Sequence, residues 1–200
     1  VREALSQVQG RTLRTGMVRI GVGEAAARER GNHMAWQQAV ARHCAGATGP
    51  SLEVCVGDLE SEATTLWTEV SHRARETVDA LRGLLDTMKQ MPGPKTLMLL
   101  SQGFSLEDTR QDVQALARLA AEAHVSIYVL QIDMPSFDIA DAQPSFSRIG
   151  DERVLSEGID TLAGAARGAR FRVVGTGETV FARVARGLSR YFLLGFALTP

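Results

Sequence analysis

Ser101-Gln102-Gly103 follows the apolar run Leu97–Leu100 and leads through Phe104–Glu107 into a segment with helical spacing. A loop leaving the carboxyl end of a strand is where α/β proteins gather their chemistry. A hard cation held there needs a carboxylate at or near position 102, and the chain supplies the neutral amide of Gln102. Its carbonyl can ligate a cation but brings no charge, and affinity in oxygen sites follows the number of charged ligands. Glu107 and Asp108 lie close by, but Asp108 suits the N-cap of the following helix better. Thr64 and Thr65 could add a hydroxyl, and either could equally cap a helix.

A second pattern with chemical meaning is Gly21-Val-Gly23-Glu-Ala-Ala26, a G-x-G-x-x-A match after the expected strand residues Met17–Ile20 (MVRI). Such a loop can cradle a dinucleotide pyrophosphate at a helix N-terminus. The match is incomplete. Gly31-Asn32 interrupts five residues after Ala26, and Glu24, Arg28, Glu29 and Arg30 read as a solvated loop. Asp58 lies 35 residues beyond Gly23, whereas the ribose-binding acid usually stands about 20 residues on. There is no Gly-x-Ser-x-Gly and no Gly-x-x-x-x-Gly-Lys, and the four histidines and two cysteines match no zinc spacing. His124, one residue before a strand, reads as a helix C-terminal residue rather than a base.

The elements that must position these residues follow from periodicity. Helices are expected at 1–12, His33–Cys44 (Met34, Ala35, Val40 and Ala41 inward), Glu62–Met91, Asp108–Ala123, Val154–Ala166 and Thr179–Arg190. Strands are expected at Met17–Val22, Lys95–Leu100, Val125–Ile132, Arg170–Val174 and Tyr191–Leu198. MPGPK (91–95) must turn, because a glycine between prolines cannot continue a helix. Residues 45–61 and 133–152 read as loop insertions, with Leu52–Val56 as a short edge strand. The apolar runs 96–100 and 125–132 flank a helix, as in a parallel βαβ unit. The expected fold is one domain over 1–200, a doubly wound, mostly parallel α/β sheet with helices on both faces.

The formal net charge of -1 gives no surplus for phosphates, so nucleic acid is not an expected partner. No run reaches the ~20 apolar residues of a membrane span. The chain opens on Val1 with a piece of amphipathic helix, so these residues are expected to belong to a longer chain. Cys44 and Cys55 are spaced to permit a disulfide, worth about 2–4 kcal/mol in an exported protein, and two buried free thiols fit the sequence as well.

The passage RETVDALRGLLDTMKQMPGPKTLMLLSQGFS, with AHVSIYVLQID and ARVARGLSRYFLLGFALTP downstream, resembles the bacterial von Willebrand factor A-related domains. There a helix ends in a Leu-Pro-Gly-Arg-Lys-like turn, a strand runs into Ser-Asp/Glu-Gly, and the domain closes on Ser-x-Tyr-Tyr-Leu-Leu-Gly-Tyr. The corresponding residues are Met91–Lys95, Ser101–Gly103 and Ser189–Phe196. The resemblance implies a Rossmann-like sheet with a ligand surface at the carboxyl ends of its strands, and a location outside the cytoplasm. The family's metal site uses Asp-x-Ser-x-Ser, a threonine and an aspartate. Asp-x-Ser-x-Ser is absent from 1–200, the first strand would lie upstream of Val1, and Gln102 replaces the aspartate.

The expected function is therefore a non-enzymatic protein-binding module with a degenerate metal site. Mg²⁺ or Mn²⁺ would bind only weakly, and only with upstream residues. Partner contacts are expected at Ser101, Gln102, Gly103 and Phe104, and on the acidic, apolar loop 133–151 at Asp133, Phe137, Asp138 and Asp141, with 23–32 as a further contributor. The alternative is a nucleotide-dependent α/β enzyme using Gly21-Val22-Gly23. Without a preceding first strand, Met17–Val22 and Lys95–Leu100 must pair directly or leave an exposed strand edge.

Overall fold

The computed structural model describes residues 20–107, 109–132, 146–173 and 178–188. Three parallel strands, β1 (Lys95–Ser101), β2 (Val125–Ile132) and β3 (Arg170–Val173), lie in the order β1-β2-β3. Lys95 stands opposite Val125 and Ser101 opposite Gln131, and Val129 opposite Arg170. The connections are helices α4 (Arg110–Glu122) and α5 (Phe146–Ala165), so β1-α4-β2-α5-β3 is a continuous βαβαβ run. The molecule is an α/β protein with a small parallel sheet, as periodicity indicates for 95–132.

Side chains alternate across a strand. Leu97, Leu99, Ile127 and Val129 face a core shared with Val78, Leu81 and Leu85 of helix α3 (Pro50–Lys89), Val113 and Leu116 of α4, and Ile159 and Leu162 of α5. Each fully buried aliphatic side chain there contributes roughly 1.5–3 kcal/mol. Phe171 points to the other face, where Arg183 of α6 (Glu178–Leu188) lies 5.5 Å from its ring centroid. On α6 Arg183 and Phe181 are exposed and Val184 is buried.

Helix α3 runs 40 residues, about 60 Å at 1.5 Å per residue, far longer than a seven-residue strand. Its C-terminal half serves the sheet core. Its N-terminal half carries Leu59, Ala63, Leu66, Trp67 and Val70 into a second cluster. The other members are Ile20, Val22, Ala25 and Ala26 at helix α1 (Val22–Glu29) and Val154 of α5, with Trp36 and Val40 of helix α2 (His33–His43) packed against it.

Several expectations are corrected here. Residues 50–61 are not an irregular insertion or an edge strand but the opening turns of α3, with Pro50 at its first turn and Gly49 preceding it at φ +54°. Proline without its N–H suits a helix start, and glycine tolerates the left-handed residue before it. Residues 22–29 are helix rather than strand end and loop; Ala25, Ala26 and Ala27 favour it, with Glu24 in its first turn and Arg28 in its last. In α2 the inward residue is Ala39, while Met34 is 72% exposed and Ala41 also faces out. The loop expected over 133–152 is already helical from Phe146. Thr109 stands at the N-cap of α4 without capping it: its hydroxyl donates back to Ser105 O at 3.0 Å. The expectations for 1–12, 17–19, Asp108, 133–145 and the strand 191–198 lie outside the described residues.

The MPGPK turn forms as the composition demands: α3 stops at Lys89, Gly93 takes φ +83°, and Lys95 Nζ donates to Met91 O at 2.6 Å. His124 closes α4 at φ +52°, and its carbonyl accepts the Lys95 N–H.

Candidate functional site

At the carboxyl end of β1, Ser101 Oγ accepts the Gly103 N–H at 3.0 Å, folding Ser101-Gln102-Gly103 into a tight turn. Gly103 adopts φ +124°, and an added Cβ would stand 2.2 Å from Leu155 O of α5. Phe104 N–H donates to that same carbonyl at 2.9 Å. The Phe104 ring lies against Gly158 of α5, where a Cβ would meet it at 2.6 Å. The turn is therefore pressed onto α5, and Phe104 is only 4% exposed.

A polar bridge through the buried Gln131 lies beneath it. Gln131 of β2 is buried, donating from Nε2 to Gln102 O at 3.3 Å and accepting Arg170 Nη1 at 2.6 Å. Arg170 Nε in turn pairs with Asp160 of α5 at 2.6 Å. Every polar atom of this chain of contacts acts on the next, so β1, β2, β3 and α5 are tied together at one place. Around the rim, Arg30 at the end of α1 pairs with Glu107 at 2.7 Å and with Glu157 at 3.6 Å, and Arg110 also reaches Glu157.

The glycine pattern of α1 is used for packing. A Cβ on Gly23 would stand 2.6 Å from the backbone of Gly150, and the Gly23 N–H donates to Asp151 Oδ1 at 2.6 Å. Glu24 Oε2 accepts the Gly21 N–H at 3.1 Å. Carboxylates of this chain thus take the amides that a phosphate would need at that helix start. Glu24 itself is buried and further paired to Arg42 and, at 3.2 Å, to His43 Nε2. Next to them Cys44 and Cys55 form a disulfide, with Cα atoms 6.0 Å apart. Of the two states the spacing allowed, the bridged one is present.

The sequence-predicted residues are partly brought together. Ser101, Gln102 and Gly103 form the turn, and Gln102 is exposed. Phe104 is turned into the core, so it offers no surface to a partner. Thr64 and Thr65 are neither on a second loop nor N-caps: they sit within α3, their hydroxyls donating to Glu60 O and Ser61 O. Both line a shallow groove of about 580 Å³ on the outer side of that helix. Asp133, Phe137, Asp138 and Asp141 lie outside the described residues. Among the described residues no group of three or more His, Cys, Asp or Glu is arranged to hold a metal ion.

Gln131, Arg170 and Asp160 escaped sequence reasoning. A signal existed for the first: Gln131 is the polar residue at a core-facing position of an otherwise apolar strand. No helix among the described residues is long and apolar enough to cross a membrane. No protein-family model, curated protein or solved structure matches the chain.

Proposed function

We propose that this chain is a von Willebrand factor A-like, doubly wound α/β module of an exported protein that binds a protein partner and catalyses no reaction. The observation that carries this reading is the Ser101–Gly103 turn. It is clamped by Leu155, Gly158 and Gln131 while Gln102 stands exposed. A rigid exposed loop at the carboxyl end of a parallel strand is a platform for recognition. In the first turn of α5, Ile149 is 77% exposed. The contact surface of this reading comprises Gln102, Glu107, Ile149 and the segment 133–145, with Phe104 acting from beneath as an anchor. The metal site is incomplete: Gln102 brings no charge, and Thr64 and Thr65 are spent within α3.

The nucleotide-dependent alternative gains nothing from Gly21 and Gly23, whose amides face Glu24 and Asp151. The bound partner is tested by affinity capture from the source organism with wild-type protein and with Gln102→Arg and Ile149→Glu. The reading expects one partner lost from both variants but retained by Glu76→Arg on the far helix, with all melting curves alike. A thermal shift with ATP or a nicotinamide cofactor, or capture indifferent to Gln102 and Ile149, overturns it.

A further inference from the structure

We propose that the Cys44–Cys55 disulfide is a redox-sensitive latch: its reduction releases helix α2 and the turn 44–49 locally, while the sheet and its helices remain folded. This goes beyond the partner-binding reading and does not depend on it. Helix α2 is poorly held by packing. Its one buried side chain is Ala39, the smallest available anchor, whereas α3 buries ten. Trp36 and Val40 rest only partly buried on the second cluster, with the Arg28 guanidinium 5.9 Å from the Trp36 ring centroid. The turn that follows contains Gly46 and Gly49, both at positive φ and both with open space around them. Beyond Cys44, no residue of that turn is buried.

The remaining restraints are concentrated at the C-terminus of α2. Arg42 and His43 reach Glu24, and Cys44 is bonded to Cys55, the sixth residue of α3. Both polar side chains are partly open to water, which can replace them. Glu24 keeps the Gly21 N–H and becomes hydrated if α2 leaves, so opening strands no buried unpaired charge. Segments with few buried apolar contacts open at small free-energy cost, and here the covalent bond is the principal barrier to opening. Opening uncovers the apolar surface of the second cluster, against which Trp36 and Val40 pack.

The chemistry is thiol–disulfide exchange with a dithiol. Cys44 is buried and Cys55 is half-buried, so Cys55 is the more exposed of the two and the one assigned to the attack. One thiolate of the dithiol attacks Cys55 Sγ, forming a mixed disulfide and expelling the Cys44 thiolate. The second thiol closes on its own sulfur, releasing the Cys55 thiolate and leaving the dithiol as a cyclic disulfide. Two electrons pass to the protein, and the two thiolates take up protons.

The test is hydrogen exchange read by mass spectrometry on the full 200-residue chain, with and without millimolar dithiothreitol and no denaturant. Reduction shows as a mass gain of two hydrogens. Exchange over 33–49 should then rise by about tenfold or more, as for a locally opened segment. Exchange in Lys95–Ser101 and Val125–Ile132 should not change, and reoxidation should restore the original map. The Cys44→Ser, Cys55→Ser double variant should show the open map without dithiol and no response to it. If that variant does not fold, the reduced wild-type protein carries the test alone. Resistance to reduction without denaturant, unchanged exchange over 33–49, or equal loss of protection in the strands each overturns the latch.

Discussion

Gly103 and Gly31 both adopt positive φ, +124° and +67°, yet only Gly103 is also crowded. A Cβ at Gly31 meets nothing within 4 Å, so Gly31→Ala carries backbone strain alone, roughly 1 kcal/mol. Gly103→Ala adds a collision with the Leu155 carbonyl and should cost roughly 3 kcal/mol or more. Urea midpoints of the two variants check this order. Equal midpoints would mean that the turn is not pressed onto α5. Gly23→Ala should also destabilise, because its Cβ would enter the Gly150 backbone. That substitution therefore reports on helix packing and says nothing about a nucleotide. At this scale the sequence was legible where one residue type signals alone, as with Gly93 between two prolines. It placed Phe104 wrongly on the partner surface, since its burial depends on Gly158, 54 positions away in the chain.

Helix α3 is the element that joins the two apolar clusters, and its buried leucines separate them. Leu59 and Leu85 are both fully buried, the first against α1 and α5, the second in the sheet core. Leu→Ala at either site should cost about 2–5 kcal/mol. The two losses should appear in different places. Leu59→Ala should speed amide exchange in α1 and α2 below the global unfolding limit, and Leu85→Ala should speed it in β1, β2 and α4. Identical exchange maps would show one cooperative unit rather than two coupled cores. Periodicity identifies α3 from Glu62 onward. It missed 50–61 because Gly57, Ser51 and Ser61 dilute the stripe, and the partner that rewards Leu59 is another helix.

Across the whole molecule, the conspicuous feature is the edge of the sheet at β1. Among the described residues β1 pairs only with β2, and Met98 and Leu100 are 42% and 54% exposed. With no proline, no bulge and no charge between Thr96 and Ser101, this strand has none of the usual edge protection among the described residues. Self-association through β1 is the expected consequence. Leu100→Lys should shift the protein toward monomer in sedimentation at raised concentration, leaving the melting midpoint nearly unchanged. Association insensitive to Leu100→Lys would mean that other residues cover this strand. The Lys89–Glu122 pair at 2.6 Å is, by contrast, exposed. Each holds the other in its charged form, the lysine raised and the carboxylate lowered by their mutual hydrogen bond, and such pairs contribute little to stability.

The sequence by itself determined the βαβ run from Lys95 to Ile132, the turn at 91–95 and the helical character of 62–89 and 110–122. These rest on local periods and on the geometry of proline and glycine, which need no distant partner. Only the tertiary structure decided that Gly23 serves Gly150 and Asp151, that Cys44 and Cys55 are joined, and that Phe104 turns inward. It also decided that Gln131 links Gln102 to Arg170. Except for the two cysteines, which are 11 residues apart, these pairs are far apart in sequence, and the side chains alone admit more than one environment until packing selects one.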